Sequence, residues 1–348
     1  MKDSKFPVNF NAILELCRAR LTELGHPERI DNWTYISGGA ETGSTWRRNS
    51  EAYQSLGFIQ TAINDVNPDA IDFSTHLLGA DLRLPIGVAP MSSGISFVHD
   101  NAFAEIAKAC ASTGIIAGVG FPSPPDSAVT MLAHCRNSIK LLKPLKDFNL
   151  LVNELQRNSN EGCLATGIDI DSVAGLKTVA DAGHFGEMTR PLSLSELKKA
   201  RDSVKIPFII KGVMSEQDVH SALEIGADAI VVSTHAGYAL DYSPSPLEVL
   251  PRILKVVDGK MKVLVDSGIT RGSDIIKALC LGADGVLIGR LTIIGLLLGG
   301  QEGVEWIINW LEEEMKRVMM LIGRQSITDL SPDCLVPLNQ LGNQILGK

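Results

Sequence analysis

No Cys-x-x-Cys pair occurs in the 348 residues, and the six cysteines (Cys17, Cys110, Cys135, Cys163, Cys280, Cys334) are scattered. They look like reduced core thiols of a cytoplasmic protein rather than a disulfide set or a zinc site. Basic charge is short too: 32 Lys and Arg against 40 Asp and Glu leave a formal net charge of −8. No basic face is evident for the phosphates of a nucleic acid. The opening MKDSKFPVNFNA lacks the apolar core of a signal peptide. The longest mainly apolar stretch, Leu291–Leu298, is far too short to cross a bilayer. A soluble protein with a small-molecule substrate, and with neither nucleic acid nor membrane as partner, is expected. Nor does a Gly-x-Gly-x-x-Gly motif open a helix after an early strand, which weakens a Rossmann reading.

What is present centres on residues 262–290, KVLVDSGITRGSDIIKALCLGADGVLIGR. An apolar run (Val263–Val265) ends in Asp266-Ser267-Gly268, a helical pattern follows, and a second apolar run ends in Gly289-Arg290. Parallel βα units place such turns at the carboxyl ends of strands, where helix N-termini face an anion. Two neighbouring Gly turns, each with an arginine (Arg271, Arg290), read as a phosphate cup.

Similar runs recur from residue 85: Ile86–Ala89, Ile115–Val119, Ile139–Leu142, Leu164–Ile170, Phe208–Ile210, Ala229–Val232, Val263–Val265 and Val286–Ile288. Helical patterns separate most of them. Eight strands alternating with helices predict an α/β fold, a (β/α)8 TIM barrel, over an open doubly wound sheet. Residues 1–84 do not share the period. They read as an N-terminal helical and loop extension covering the barrel, with a helix over Phe10–Leu24 and a Gly-rich loop after Trp33. The barrel is placed at 85–300. Residues 301–348 complete the single domain with an amphipathic helix over Gln301–Leu321, then a tail with little structure.

In such a barrel the strand C-termini build the active site. Here they carry Ala89-Pro90-Met91-Ser92, Asp169-Ile170-Asp171, Lys211-Gly212, Ser233-Thr234-His235, Asp266-Ser267-Gly268 and Gly289-Arg290. A lysine directly after Phe208-Ile209-Ile210 is costly to bury unless it meets an anion or a cofactor. Lys211, His235, Asp169 and Asp266 at one rim therefore point to a site rather than to solvated charges.

These residues resemble the FMN-dependent 2-hydroxy-acid oxidase and dehydrogenase family, over nearly the whole chain. The resemblance rests on Tyr35-Ile-Ser-Gly-Gly39-Ala-Glu, Asp72-Phe-Ser-Thr-His-Leu-Leu-Gly79, Pro85-Ile-Gly-Val-Ala89-Pro90, Lys211-Gly212, Val232-Ser-Thr-His235-Ala-Gly237 and Asp266-Ser-Gly268-Ile-Thr270-Arg271-Gly-Ser-Asp274. It implies FMN at the barrel mouth, with its phosphate held by Gly268, Thr270, Gly289 and Arg290. Pro90, Met91, Ser92, Ser233, Asp266 and Ser267 would line the cofactor, and Lys211 would stabilise the reduced flavin. His235 would be the base, Asp169 its orienting carboxylate, and Tyr35 a substrate contact. Hydride would pass to flavin N5, with O2 or another acceptor reoxidising the flavin, in a homo-oligomer such as a tetramer.

The chain also departs from that family's pattern. Tyr238 stands where an arginine would grip the substrate carboxylate in a bidentate pair. Leu141 and Lys143 replace a glutamine and a tyrosine, Gly167 replaces a threonine, and Thr270 replaces the first of two arginines. The flavin-facing lysine and the base survive, whereas the carboxylate clamp does not. The expectation is an oxidoreductase acting on a C–OH or C–N carbon of a specialised substrate, contacted by Tyr35, Tyr238, Lys143 and Lys177. An FMN-dependent isomerase without net redox, or a flavin-binding protein that has lost catalysis, are the alternatives.

Overall fold

The computed structural model describes residues 10–23, 38–92, 95–96, 98–124, 126–173 and 188–338. Three short strands come first: β1 (Leu56–Phe58), β2 (Thr75–Leu77) and β3 (Ala80–Leu82). Eight parallel strands then form one sheet: β4 (Ile86–Val88), β5 (Ala117–Val119), β6 (Ser138–Leu142), β7 (Ala165–Asp169), β8 (Phe208–Val213), β9 (Ala229–Val232), β10 (Lys262–Val265) and β11 (Gly285–Ile288). β11 pairs with β4. The last seam closes through bridges between Gly87 and Ile116 and between Met91 and Val119. The fold is a (β/α)8 barrel.

Because both faces of each strand are covered, the strands read as continuous apolar runs rather than alternating ones. Two cores result. An inner one (Ile116, Ile139, Leu141, Ala165, Ile209, Ala229, Val231, Leu264, Leu287) fills the barrel, and the β2–β3 hairpin adds Leu77, Leu78 and Leu82 to it. A larger outer one lies between strands and helices. At Gly167 on β7, a Cβ would lie 1.9 Å from the Ile209 carbonyl oxygen. The close approach of β8 leaves no room there for the threonine of the related pattern.

The helices among the described residues are α1 (Phe10–Glu23), α2 (Ser44–Gln54), α3 (Ala102–Thr113), α4 (Ser127–Leu132), α5 (Phe148–Glu161), α6 (Leu194–Asp202), α7 (Glu216–Ile225), α8 (Pro246–Val257), α9 (Gly272–Cys280) and α10 (Arg290–Ile322). Through length and apolar composition α10 could cross a membrane, but 67% of its most apolar window is buried inside the protein. It also kinks at Gly299 and Gly300, where backbone angles leave the helical region. The amphipathic segment expected from Gln301 is thus the second half of a longer element. The tail carries more structure than expected: β12 (Leu335–Pro337) pairs antiparallel with β1.

Candidate active site

The six strands β6 to β11 deliver the polar side chains of the mouth: Lys143, Asp169 and Asp171, Lys211, His235, Asp266 and Ser267, and Arg290. On β8 the pairing slips between Lys211 and Val213, a bulge that Gly212 permits with a φ of +94°. Lys211 therefore belongs to the strand rather than to the loop after it, and it lies beside Asp169 in the β7–β8 register. After β9, His235 (φ +53°) and Ala236 (φ +58°) both take the left-handed conformation. Non-glycine residues hold it only where the surroundings impose it, often at functional sites.

Five of the expected residues converge. Asp169 is the centre: Lys211 Nζ donates to Oδ1 at 3.1 Å and Lys143 Nζ to Oδ2 at 2.7 Å. His235 Nδ1 lies 3.3 Å from Oδ2. Lys143 also donates to Ser172 Oγ at 2.8 Å, and Lys211 lies 3.7 Å from Asp266. Sequence reading places Asp171 at the rim but gives it no role; its Oδ1 sits 3.0 Å from His235 Nδ1. Its only sequence signal is that it follows Asp169 by two residues, which equally suits a solvated turn.

The charges set one another. Burial alone would raise Asp169, but His235, Lys143 and Lys211 hold its carboxyl well below the usual range. Burial would lower Lys211, yet Asp169, Asp266 and Asp171 keep it firmly protonated. Burial also works to lower His235. Asp169 and, more weakly, Asp171 outweigh it and the two lysines, so its pKa is raised above the ordinary imidazole value. Asp169, Asp171 and His235 offer ligand atoms within 4.8 Å of one another. Two ammonium groups already neutralise Asp169, so the cluster reads as a proton-handling site rather than a metal centre.

Beside this cluster opens a cleft. Its lining includes Pro90, Met91, Lys211, His235, Tyr238, Asp266, Ser267, Gly268, Leu287, Ile288, Gly289 and Arg290. The N-terminus of α10 begins at Arg290, whose guanidinium lies over the Trp46 ring at 5.8 Å. Apolar walls, a buried ammonium, and a helix N-terminus with its arginine are the donor set a flavin mononucleotide requires. Trp46 Nε1 is buried with no hydrogen-bond partner among the described residues.

Both residues expected in the cup from the Thr270-Arg271 turn lie elsewhere. Thr270 bonds Asp274 Oδ2 through its backbone N (2.9 Å) and its hydroxyl (3.1 Å). The Arg271 guanidinium is held by Glu314 on α10, with Nε at 3.0 Å from Oε1. Neither lines the cleft; both anchor the start of α9. Ser233 is fully buried, and its hydroxyl accepts the His235 backbone N–H at 3.0 Å. Ser92 is half-buried and does not line the cleft. Leu141 belongs to the inner barrel core, and Lys143 reaches the site only through Asp169 and Ser172. Tyr35 and Lys177 lie outside the described residues.

The N-terminal segment is fastened over the mouth. Asp241, after β9, accepts the Thr42 and Thr45 backbone N–H groups, each at 2.9 Å. Asn49 donates to Thr234 Oγ1 at 2.9 Å, and Ala40 N–H reaches the Gly237 carbonyl at 2.7 Å. A Cβ on Gly237 would meet the Trp46 backbone N at 2.7 Å, so this residue must be glycine for the segment to lie so close.

With this geometry in place, the comparisons fall on one group. The FMN-dependent dehydrogenase family model matches residues 27–185 and 174–337. The chain belongs to this family. Among relatives, an L-lactate oxidase of Nostoc sp. is 30% identical, the match covering 94% of this chain and 98% of the relative. The peroxisomal (S)-2-hydroxyacid oxidase GLO3 of Arabidopsis thaliana is 29% identical, covering 93% and 95%. Of solved structures, a mutant flavocytochrome b2 with pyruvate bound superposes with a TM-score of 0.83 at 26% identity, over 96% of this chain and 88% of the other. Mandelate oxidase gives 0.81 at 25% identity over 93% and 97%. The protein is an FMN-dependent oxidoreductase of the 2-hydroxy-acid oxidase family, and FMN is its cofactor.

Proposed function

We propose that this family member oxidises a C–OH, or C–N, carbon of a specialised substrate rather than a simple lactate-like acid. One observation carries the reading. Tyr238, two residues beyond Ala236, is 3% exposed and lines the cleft, at the position where the resemblance leads one to expect an arginine fork. The ammonium groups near His235, on Lys143 and Lys211, are both engaged by Asp169. A carboxylate bound there without a planar fork would forgo a charge-assisted pair of roughly 1.5–3 kcal/mol.

The chain's own groups divide the chemistry. Arg290 and the N-terminus of α10, with Gly268 and Gly289, would hold the cofactor's phosphate, and Pro90, Met91 and Leu287 would flank its ring. Bound FMN supplies the two-electron acceptor for the carbon being oxidised. His235, when neutral, takes the substrate's proton through the ring nitrogen not bonded to a carboxylate. The carboxylates at Nδ1 then stabilise the imidazolium. Lys211, kept charged by Asp169 and Asp266, stabilises negative charge developing in the cleft. Tyr238 presents a ring and a hydroxyl in place of a cation, which favours a larger or less acidic substrate group.

The test is anaerobic mixing of the purified, flavin-loaded protein with lactate, glycolate and mandelate, followed by loss of flavin absorbance. Slow or absent bleaching is expected with all three. Bleaching at the rates of an ordinary hydroxy-acid oxidase would overturn the specialised-substrate reading. Sulfite bleaching of the same protein checks independently that a cation sits beside the flavin.

A further inference from the structure

We propose that Asp171, rather than Asp169, is the positioning carboxylate of His235, because Lys143 has drawn Asp169 away from that role. The inference rests on the reading of His235 as the base. Its starting point is a competition for acceptors. Both oxygens of Asp169 are already engaged by ammonium groups, Oδ1 by Lys211 at 3.1 Å and Oδ2 by Lys143 at 2.7 Å. The distance from Oδ2 to His235 Nδ1 is 3.3 Å. Asp171 Oδ1 is closer, at 3.0 Å. Its competing donor is the Ser172 hydroxyl at 3.3 Å, and its Oδ2 is buried with no hydrogen-bond partner among the described residues. A ring N–H makes one good bond, and it goes to the nearer, less heavily shared acceptor.

The backbone is shaped for this carboxylate. Gly212 sits in the β8 bulge at φ +94°, and a Cβ there would lie 2.7 Å from Asp171 Cγ. The bulge that turns Lys211 inward thus also leaves the space in which the Asp171 side chain lies.

Charge balance gives Asp171 a second task. The charged groups facing the imidazole are Lys143 from the end of β6, Asp169 and Asp171 from the end of β7, and Lys211 from β8; Asp266 on β10 lies behind Lys211. The two lysines balance Asp169 and Asp171. Without Asp171 the imidazolium would lose one of the two carboxylates that favour its charge, and the proton taken from substrate would be held less well. Lys143 and Asp171 therefore act as a matched pair, one redirecting Asp169 and the other replacing it.

The test reads the histidine itself and needs no substrate. Flavin-loaded protein labelled with 15N-histidine is examined by NMR, with H235Q identifying the His235 signals among the seven histidines. A hydrogen-bonded, low-field Nδ1 proton is expected in the wild type, kept in D169A and lost in D171A, because alanine leaves no side-chain oxygen to accept it. The His235 titration midpoint should fall in D171A. In D171A/K143Q the bond should return, because Asp169 Oδ2 is released to accept it. D171L serves as a second variant should D171A not fold. Survival of the low-field proton in D171A and D171L overturns the proposal, as does its loss in both D169A and D171A. If His235 is not the base, H235Q retains substrate-dependent bleaching while these signals still report which carboxylate holds the ring.

Discussion

Two buried carboxylates each collect several donors, Asp169 at the barrel mouth and Glu314 on α10, and their partners differ in kind. Glu314 receives one arginine, Arg271, and the backbone N–H of Gly272 at 2.9 Å. Neither partner changes its protonation near neutral pH, so the network ties α10 to the start of α9 and does nothing else. Asp169 receives two lysines and a histidine. One of the three can gain or lose a proton in the physiological range, and the other two bias it. Similar burial and similar distances therefore serve packing in one place and proton transfer in the other. What separates them is whether a titrating group is among the partners and whether the cluster opens to a cleft.

The contrast breaks most visibly at His235. H235Q should slow anaerobic flavin reduction by the active substrate on the order of 10²–10⁴-fold, while the flavin spectrum and thermal midpoint stay close to wild type. The mirror experiment is E314A, which should cost about 1–3 kcal/mol of stability in urea unfolding. The lower part of that range reflects the half-exposed Arg271, which can rehydrate. The pH profile of E314A should not move; a shifted profile would merge the two networks the comparison separates.

A smaller effect sharpens the Asp169 side. His235 has its pKa raised by the carboxylates, and its neutral form is the base. Flavin reduction should therefore rise with pH through a midpoint above the unperturbed histidine value of about 6.5, and a midpoint below that value would contradict the charge balance drawn for the site. The smallest effect is expected at Arg48, which pairs with Glu248 at 2.7 Å on the surface. R48A should change the unfolding free energy by less than about 1 kcal/mol and leave kinetics untouched.

How far the sequence reveals this follows from the same physics. The barrel is legible because strands buried on both faces must be apolar throughout, so Val263–Val265 and Val286–Ile288 stand out without an alternating pattern. Lys211 and His235 are legible because charge directly after such a run has to be accounted for. Asp171 is not: an aspartate two residues past a strand looks like a solvated turn, and only the Gly212 bulge brings it to the imidazole. Arg271 misleads for the opposite reason. It occupies a signature position, while its partner Glu314 lies on a different helix, and no local spacing announces a pairing across 43 residues. The glycine at 167 likewise makes sense only once the Ile209 carbonyl is seen against it.

The β1–β12 pairing carries a consequence for how the protein comes into being. β1 follows directly on α2, the helix that bears Trp46 and Asn49 over the cleft, yet its hydrogen-bonding partner is Leu335–Pro337. Ribosomal synthesis completes β11, the last barrel strand, some way before that partner exists. A nascent chain can thus close its barrel while β1 still waits for its partner, and this late, long-range loop closure is among the slowest contacts a chain of this kind makes. The segment over the cleft is thus tied, through one three-residue strand, to a part of the chain made after the whole barrel.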